Sequence, residues 1–136
     1  MEFDTKIAIA VVEDLPTWQK LNVVAFLTSG VMSQIEAPYG EPYKDANNSE
    51  YASLCIQPMV ILKASQERLR TFLSRANSRG VKAAVYIEDM FATSHDAANR
   101  ETVAKYPTEA LPLVGIGLRA DKKTADKIFK GAKLHD

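Results

Sequence analysis

Four short segments of the chain are apolar at nearly every position, the pattern of strands buried on both faces of a sheet. They span residues 5–13, 59–63, 81–87 and 113–118. Segments with helical spacing lie between them and after the last one. This alternation predicts an α/β fold, a three-layer α/β/α sandwich around a mixed, mostly parallel sheet of about four core strands.

The first predicted helix covers residues 16–30 and is apolar on almost every side. Such a helix is typical of a buried position, so we predict that it is largely buried, with Trp18 and Phe26 in the core. Ser29 and Gly30 are expected to end or bend it.

Two later helices carry clearer signals. Ser65 is suited to cap a helix over residues 66–79, and Gly80 is suited to end it. Asp121 is expected to cap the last helix. One face of each helix is apolar, formed by Leu69, Phe72, Leu73 and Ala76 in the first and by Ala125, Ile128, Phe129 and Ala132 in the second.

The two remaining stretches lack sustained periodicity. Residues 34–57 are rich in turn formers, and Asn47-Asn48 between Tyr43 and Tyr51 predicts a β-hairpin. Residues 88–110 are polar and are predicted to form a long loop, a feature that is often functional in compact domains.

Composition and length indicate a single domain over residues 1–136. The 136 residues are 46% hydrophobic and 25% charged, which is ordinary for a globular protein. The one cysteine, Cys55, excludes an intramolecular disulfide and is expected to be a small core residue. Without a basic leader or a long apolar run, we predict a cytoplasmic protein with no membrane partner.

Charge is balanced overall but unevenly distributed. The formal net charge is zero, and basic side chains concentrate in residues 59–82 and 119–136. Zero net charge argues against strong non-specific binding of nucleic acid, so tRNA is not favoured as a partner. The two basic segments indicate either solvated helix faces or a surface for a phosphate-bearing partner.

Two predicted strands end in the same dipeptide, Glu13-Asp14 and Glu88-Asp89. Ligands of open α/β sheets bind at the carboxyl edge, where these residues would lie if the strands are parallel neighbours. Crowded carboxylates are suited to general acid or base chemistry. The alternative is that Asp14 and Asp89 cap the turns that follow.

The predicted loop contains a hydroxyl, an imidazole and a carboxylate at Ser94, His95 and Asp96. Adjacent residues rarely point at one another, so we favour a solvated loop histidine at His95 over a catalytic pair of Ser94 and His95. His135, near the end of the chain, is expected to be disordered. The two histidines and the cysteine are too widely spaced for a metal site, and no glycine-rich phosphate loop occurs. No metal or cofactor is therefore predicted.

In order and spacing, four pieces of the chain resemble type II peptidyl-tRNA hydrolases. The first two pieces are residues 7–12 followed by Asp14-Leu15, and residues 59–63 followed by the helix that Gly80 ends. The other two are residues 85–89 followed by Thr93, and residues 113–117 followed by the last helix. The resemblance covers residues 5–33 and 58–134, whereas that family has helix where we predict the hairpin. The whole chain resembles more closely an uncharacterised bacterial family of domains of unknown function that shares this fold.

The resemblance implies hydrolysis of the ester that joins a peptide to tRNA, and a homodimer. Asp89 and Thr93 match the family's aspartate and first threonine. The family's lysine stretch falls on residues 18–21, where Lys20 is the one basic residue, and its later threonine falls at Ala110. Asp89 would act as base or orienting group, while Thr93 and Lys20 would stabilise developing negative charge.

Two functions therefore remain open. One is a hydrolase that cleaves peptidyl-tRNA or a related ester or amide with Asp89, Thr93 and Lys20. The other, which we favour because the lysine position is displaced, is a non-catalytic module that binds a small ligand or assembles with a partner, with Asp14, Glu88 and Ser94 as ligand-binding candidates. Convergence of Lys20, Asp89 and Thr93 on one cavity would favour the hydrolase.

Overall fold

The computed structural model describes residues 2–136 and contains two sheets and four α-helices within them. In chain order the strands are β1 (Thr5–Val12), β2 (Tyr43–Lys44), β3 (Glu50–Tyr51), β4 (Met59–Ala64), β5 (Ala84–Ile87), β6 (Leu113–Asp121) and β7 (Lys133–Leu134). The helices are α1 (Thr17–Met32), α2 (Gln66–Ser78), α3 (Asp96–Ala104) and α4 (Lys122–Ile128).

The main sheet has five strands in the order β5-β6-β1-β4-β7. Strands β1 and β4 are parallel, whereas β1 with β6, β6 with β5 and β4 with β7 are antiparallel. The predicted α/β fold with a mixed sheet and a hairpin is confirmed. The expectation of a mostly parallel sheet is wrong, because a strand buried on both faces has the same apolar pattern in either direction.

The core forms on both faces of β1, the central strand. In β1, Ile9 pairs with Ile61 of β4 and with Gly117 of β6. Helix α1 covers one face, where Gly117 lies against Val31, and α2 and α4 cover the other. The result is three layers, with the candidate site at the β5 edge of the sheet.

Helices α2 and α4 form as their sequences predict. The Ser65 hydroxyl accepts a hydrogen bond from the Arg68 amide, and Asp121 accepts one from the Thr124 amide. Gly80 has a φ of 69°, in the left-handed region that favours glycine. The Arg75 guanidinium donates to the Ile128 and Lys130 carbonyls at the end of α4, which joins the two helices.

The segment predicted as a long loop, residues 88–110, is largely helical. It contains a 3-10 turn over Glu88–Ala92, helix α3 and a second 3-10 turn over Thr108–Ala110. Helix α3 has no fully buried residue. The loop prediction failed because a helix with no buried face lacks the apolar periodicity by which helices are recognised in a sequence.

Residues 38–56 form an extended hairpin, which we call the arm. Its outer part consists of β2 and β3, and Tyr39 pairs with Cys55 near its base. The Ile56 amide donates to the Pro38 carbonyl at 3.0 Å, in the same register. The hairpin prediction is confirmed, and Cys55, half-buried at the base of the arm, packs against the core cluster of Ile7, Val31 and Met32.

Asp45 organises the turn at the tip of the arm. One of its carboxylate oxygens accepts hydrogen bonds from the Asn47 and Ser49 amides at 2.9 and 3.0 Å. The other accepts one from the Tyr51 hydroxyl at 2.7 Å. These bonds, with the Tyr51 hydroxyl first, lower the pKa of the Asp45 carboxyl below its usual range.

We expect acid to loosen this turn. Because the folded pKa of Asp45 is depressed, its stabilising contribution is present above the unfolded pKa of about 4 and is lost as pH falls through the lower folded value. Amide NMR signals of Asn47 and Ser49 should therefore shift below about pH 4. In Asp45→Asn the same two signals should not titrate. Signals that titrate equally in both proteins would contradict the role of Asp45.

The C-terminal segment packs against the sheet. The His135 amide donates to the Ile61 carbonyl at 3.0 Å, and its imidazole Nε2 lies 3.4 Å from the Lys20 ammonium. The expectation of disorder at His135 is wrong, because pairing of β7 with β4 holds this segment in place. None of the helices in residues 2–136 has both the length and the apolar character that crossing a membrane requires.

Candidate functional site

A groove of about 850 Å³ lies beside strand β5. One wall is the outer flank of α1, the floor is Ala84, Val85 and Tyr86 of β5, and the opposite wall is formed by residues 90–104. We call this cavity the groove. Its volume falls within the range of roughly 300–1,000 Å³ that is typical of small-molecule sites.

Helix α1 forms one wall of the groove because it carries apolar residues outside its buried face. Val23, Leu27 and Val31 are buried against the sheet. Trp18 and Phe26 lie on the opposite flank, 65% and 57% exposed, and both line the groove. The prediction that they belong to the core is wrong, as is the prediction that α1 is largely buried.

Close packing sets the distance between α1 and the floor. A Cβ atom at Gly30 would lie 2.8 Å from the Ala84 Cβ, so only glycine allows the helix to approach β5 this closely. Helix α1 continues through Ser29 and Gly30 to Met32 instead of ending there. The helix therefore forms a continuous wall along the groove.

Three aromatic rings cross the groove, from Phe26 on the α1 wall over Tyr86 on the floor to Phe91 on the opposite wall. The Tyr86 ring lies 6.0 Å from that of Phe26 and 5.3 Å from that of Phe91, centroid to centroid. Tyr86 is only 6% exposed, and burial raises the pKa of its hydroxyl. Tyr86 is one of the residues that line the groove.

Several polar side chains of the opposite wall are hydrogen-bonded within that wall. The Thr93 hydroxyl donates to the Met90 carbonyl at 2.9 Å and also contacts the Asn99 side chain, which fastens the 3-10 turn to α3. His95 Nδ1 accepts the Ala98 amide at 3.2 Å and so caps α3. This bond places the proton of a neutral imidazole on Nε2, so His95 is a hydrogen-bond donor toward the solvent.

The three candidate catalytic residues do not meet in one cavity. Thr93 lines the groove, whereas Asp89 accepts a hydrogen bond from the Tyr106 hydroxyl at 2.8 Å, and this bond raises the pKa of Tyr106. Lys20 contacts His135 instead. The convergence of Lys20, Asp89 and Thr93 on one cavity, which would favour the hydrolase, is therefore not observed.

The candidate ligand-binding residues separate into two groups. Ser94 lines the groove, while Asp14 and Glu88 lie in a smaller cavity of about 300 Å³ at the carboxyl edge, beside Glu13 and Ser65. Strands β1 and β5 run in the same direction, but β6 lies between them. Among residues 2–136, no group of three or more His, Cys, Asp or Glu side chains is placed to hold a metal ion.

Several groove residues were not identified from the sequence. They are Trp18, Asn22, Phe26, Tyr86, Phe91, Asn99 and Arg100. One signal was available, because a helix of 16 residues with apolar side chains on every side exceeds what a single sheet face covers. The polar groove residues carried no comparable signal.

Comparisons with known proteins place the chain among proteins of unknown function. A family model described as "Protein of unknown function (DUF2000)" matches residues 5–136. A solved structure of a protein of unknown function, Atu0240 from Agrobacterium tumefaciens strain C58, is 49% identical, covers 99% of this chain and 100% of its own, and has a TM-score of 0.97. A search of curated proteins finds no match. The expected likeness to an uncharacterised family is confirmed, whereas neither match names a peptidyl-tRNA hydrolase.

Proposed function

We propose that this chain, which belongs to the DUF2000 family of proteins of unknown function, binds a small organic ligand in the groove. The observation that carries the proposal is the composition of the groove. An aromatic row crosses it from wall to wall, and polar side chains lie along one wall. A ligand site of this kind buries an apolar body and orients it through a few polar groups.

The ligand that fits has a flat apolar part and at least one hydrogen-bonding group. The flat part would pack on Phe26, Tyr86 and Phe91, since aromatic rings prefer offset or edge contacts of this spacing. The Tyr86 hydroxyl at the floor would bond a polar atom of the ligand. Asn22 and Ser94 at the sides would bond others.

The test uses 1-anilinonaphthalene-8-sulfonate as a flat probe with one polar group. Trp18 is the single tryptophan of the chain and lines the groove, so its emission reports on probe binding there. We expect saturable binding of one probe per chain with quenching of Trp18. Phe91→Ala should weaken binding by about tenfold, in line with loss of an aromatic contact and its buried area.

Two further variants make this test specific to the groove. Asn22→Ala changes an exposed groove residue, so it should lower affinity several-fold without affecting the fold. Tyr43→Ser removes an exposed aromatic side chain from the arm instead and should leave binding unchanged. Equal affinity of the wild type, Phe91→Ala and Asn22→Ala would overturn the proposal, provided that circular dichroism shows all three folded.

The alternative function, a hydrolase that uses Asp89 and Thr93, is less well supported. Both side chains are bonded to neighbouring protein groups, and Lys20 lies at the C-terminal segment. Incubation with diacetyl-lysyl-tRNA is expected to give no hydrolysis. Turnover that Asp89→Asn abolishes would replace the binding proposal with the hydrolase.

A further inference from the structure

A small cavity lies at the C-terminal end of α1, and none of the residues that line it lines the groove. Its volume is about 70 Å³, whereas a water molecule needs only about 10–15 Å³ of such space, so it has room for several waters or one small anion. Val31 and Leu118 contribute buried apolar surface. The polar lining consists of Gln34, Lys82 and Arg119, and none of the described residues around the cavity is acidic.

The fold brings the two basic segments of the sequence together at this cavity. Lys82 is the last residue of one segment, and Arg119 is the first residue of the other. Strands β5 and β6 are antiparallel, and Ala84 pairs with Gly117. Two residues outward from that pair, the same register places Lys82 opposite Arg119 and on the same face of the sheet. Helix α1 covers this face, since Gly117 lies against Val31.

The Arg119 guanidinium is held in position by its Nε atom. Nε donates to the Thr5 hydroxyl at 3.1 Å and to the Gln57 side-chain carbonyl at 3.3 Å. Gln57 is the buried polar residue of the described chain, 7% exposed, and its amide donates to the Thr5 carbonyl at 2.9 Å. These bonds orient the guanidinium and leave its two terminal nitrogens as a fork, the geometry that binds two oxygens of one anion.

Neither cation has a protein partner for its charge. Within residues 2–136, no acceptor receives a hydrogen bond from Lys82 or from the terminal nitrogens of Arg119, and the ion pairs within 4.0 Å all lie elsewhere. Glu36 lines a neighbouring cavity with Arg119 but forms no ion pair with it. The carbonyls of residues 29–32 at the end of α1 accept hydrogen bonds from residues 33–35, so the two cations do not cap that helix.

We propose that this cavity binds phosphate, either as the free anion or as the phosphate group of an organic molecule. The Arg119 fork would bond two oxygens, and the Lys82 ammonium and the Gln34 side-chain amide would bond others. A carboxylate has only two oxygens, which the fork alone satisfies. Donors from three separate parts of the chain therefore favour an anion with more oxygens. The site is independent of any ligand in the groove.

Titration with inorganic phosphate at pH 7 and fixed ionic strength tests the proposal. The backbone amide NMR signals of Gln34, Lys82 and Leu118 should shift and saturate. The Kd should lie in the millimolar range, because exposed charges are screened by salt. Arg119→Lys keeps the charge but removes the fork, so it should raise the Kd about tenfold. Lys82→Ala removes a charge from an exposed position and should raise it at least about threefold.

A control variant and a second probe complete the experiment. Lys123→Ala removes an exposed cation from α4, on the other face of the sheet, and should leave the Kd unchanged. Glycerol 3-phosphate distinguishes the two sources of phosphate. If it binds more tightly than inorganic phosphate and Arg119→Lys weakens it, the site takes the phosphate group of an organic molecule; equal or weaker binding indicates the free anion.

Two results would overturn the proposal. One is the absence of saturable shifts with both probes. The other is a Kd that Arg119→Lys or Lys82→Ala leaves unchanged, provided that circular dichroism shows the variants folded.

Discussion

Replacing Phe72 by alanine is expected to lower the free energy of unfolding by about 3–5 kcal/mol. Phe72 is 1% exposed and lies in the core between α2 and the sheet. Its ring meets that of Phe129 edge-on at 5.4 Å, and the Arg75 guanidinium lies 5.9 Å from its centroid. The substitution therefore leaves a cavity and removes one of the contacts that join α2 to the end of α4. Urea unfolding at equilibrium measures the loss.

Phe26→Ala is the matched control for this experiment. It removes the same atoms from a ring that is 57% exposed, so the free energy of unfolding should fall by less than about 1 kcal/mol. The two variants separate a core phenylalanine from a groove phenylalanine. Similar losses in both would show that the exposed flank of α1 is a structural surface, which would weaken the ligand-binding proposal.

The sequence predicts the elements of this fold better than their arrangement. Helix α2 carries its own signals, since Ser65 caps it, one apolar stripe faces the core and Gly80 ends it. Strands β1 and β6 are predicted correctly because burial on both faces leaves continuous apolar runs, and the partly buried β4 and β5 carry similar runs. The relative directions of these strands were not predicted, because parallel and antiparallel pairs have the same apolar runs.

The site was harder to predict, for a physical reason. Helical periodicity separates a buried face from an exposed face only when the apolar residues lie on one side of the helix. In α1 they occur on every side, so the sequence does not separate the buried Val23 from the exposed Trp18. The opposite wall depends on α3, which has no buried residue and therefore no stripe. Of the six candidate site residues, only Thr93 and Ser94 line the groove. The family resemblance pointed to Thr93 and the polar loop to Ser94, so helical or strand periodicity indicated neither.

Gly115→Ala is expected to lower the free energy of unfolding by about 2–3 kcal/mol, although it adds one methyl group. The new Cβ would lie 2.6 Å from Val23 Cγ1 and 2.7 Å from Leu27 Cδ1. Both side chains are buried between α1 and β6, so neither has free space to move into. Helix α1 must shift outward, and urea unfolding should show the loss of stability.

The same shift should reach the groove, because α1 is its wall. We expect Gly115→Ala to weaken binding of the anilinonaphthalene probe, although Gly115 does not line the groove.

Gly117→Ala is the matched control on the same strand. Its Cβ would lie 3.2 Å from Ile9 Cγ1 and 3.3 Å from Val31 Cγ2, contacts that an adjustment of a few tenths of an ångström relieves. Its cost should stay below about 1 kcal/mol, partly offset by the reduced entropy of the unfolded chain. Equal destabilisation by the two variants would mean that close approach of α1 at Gly115 does not set the position of the helix.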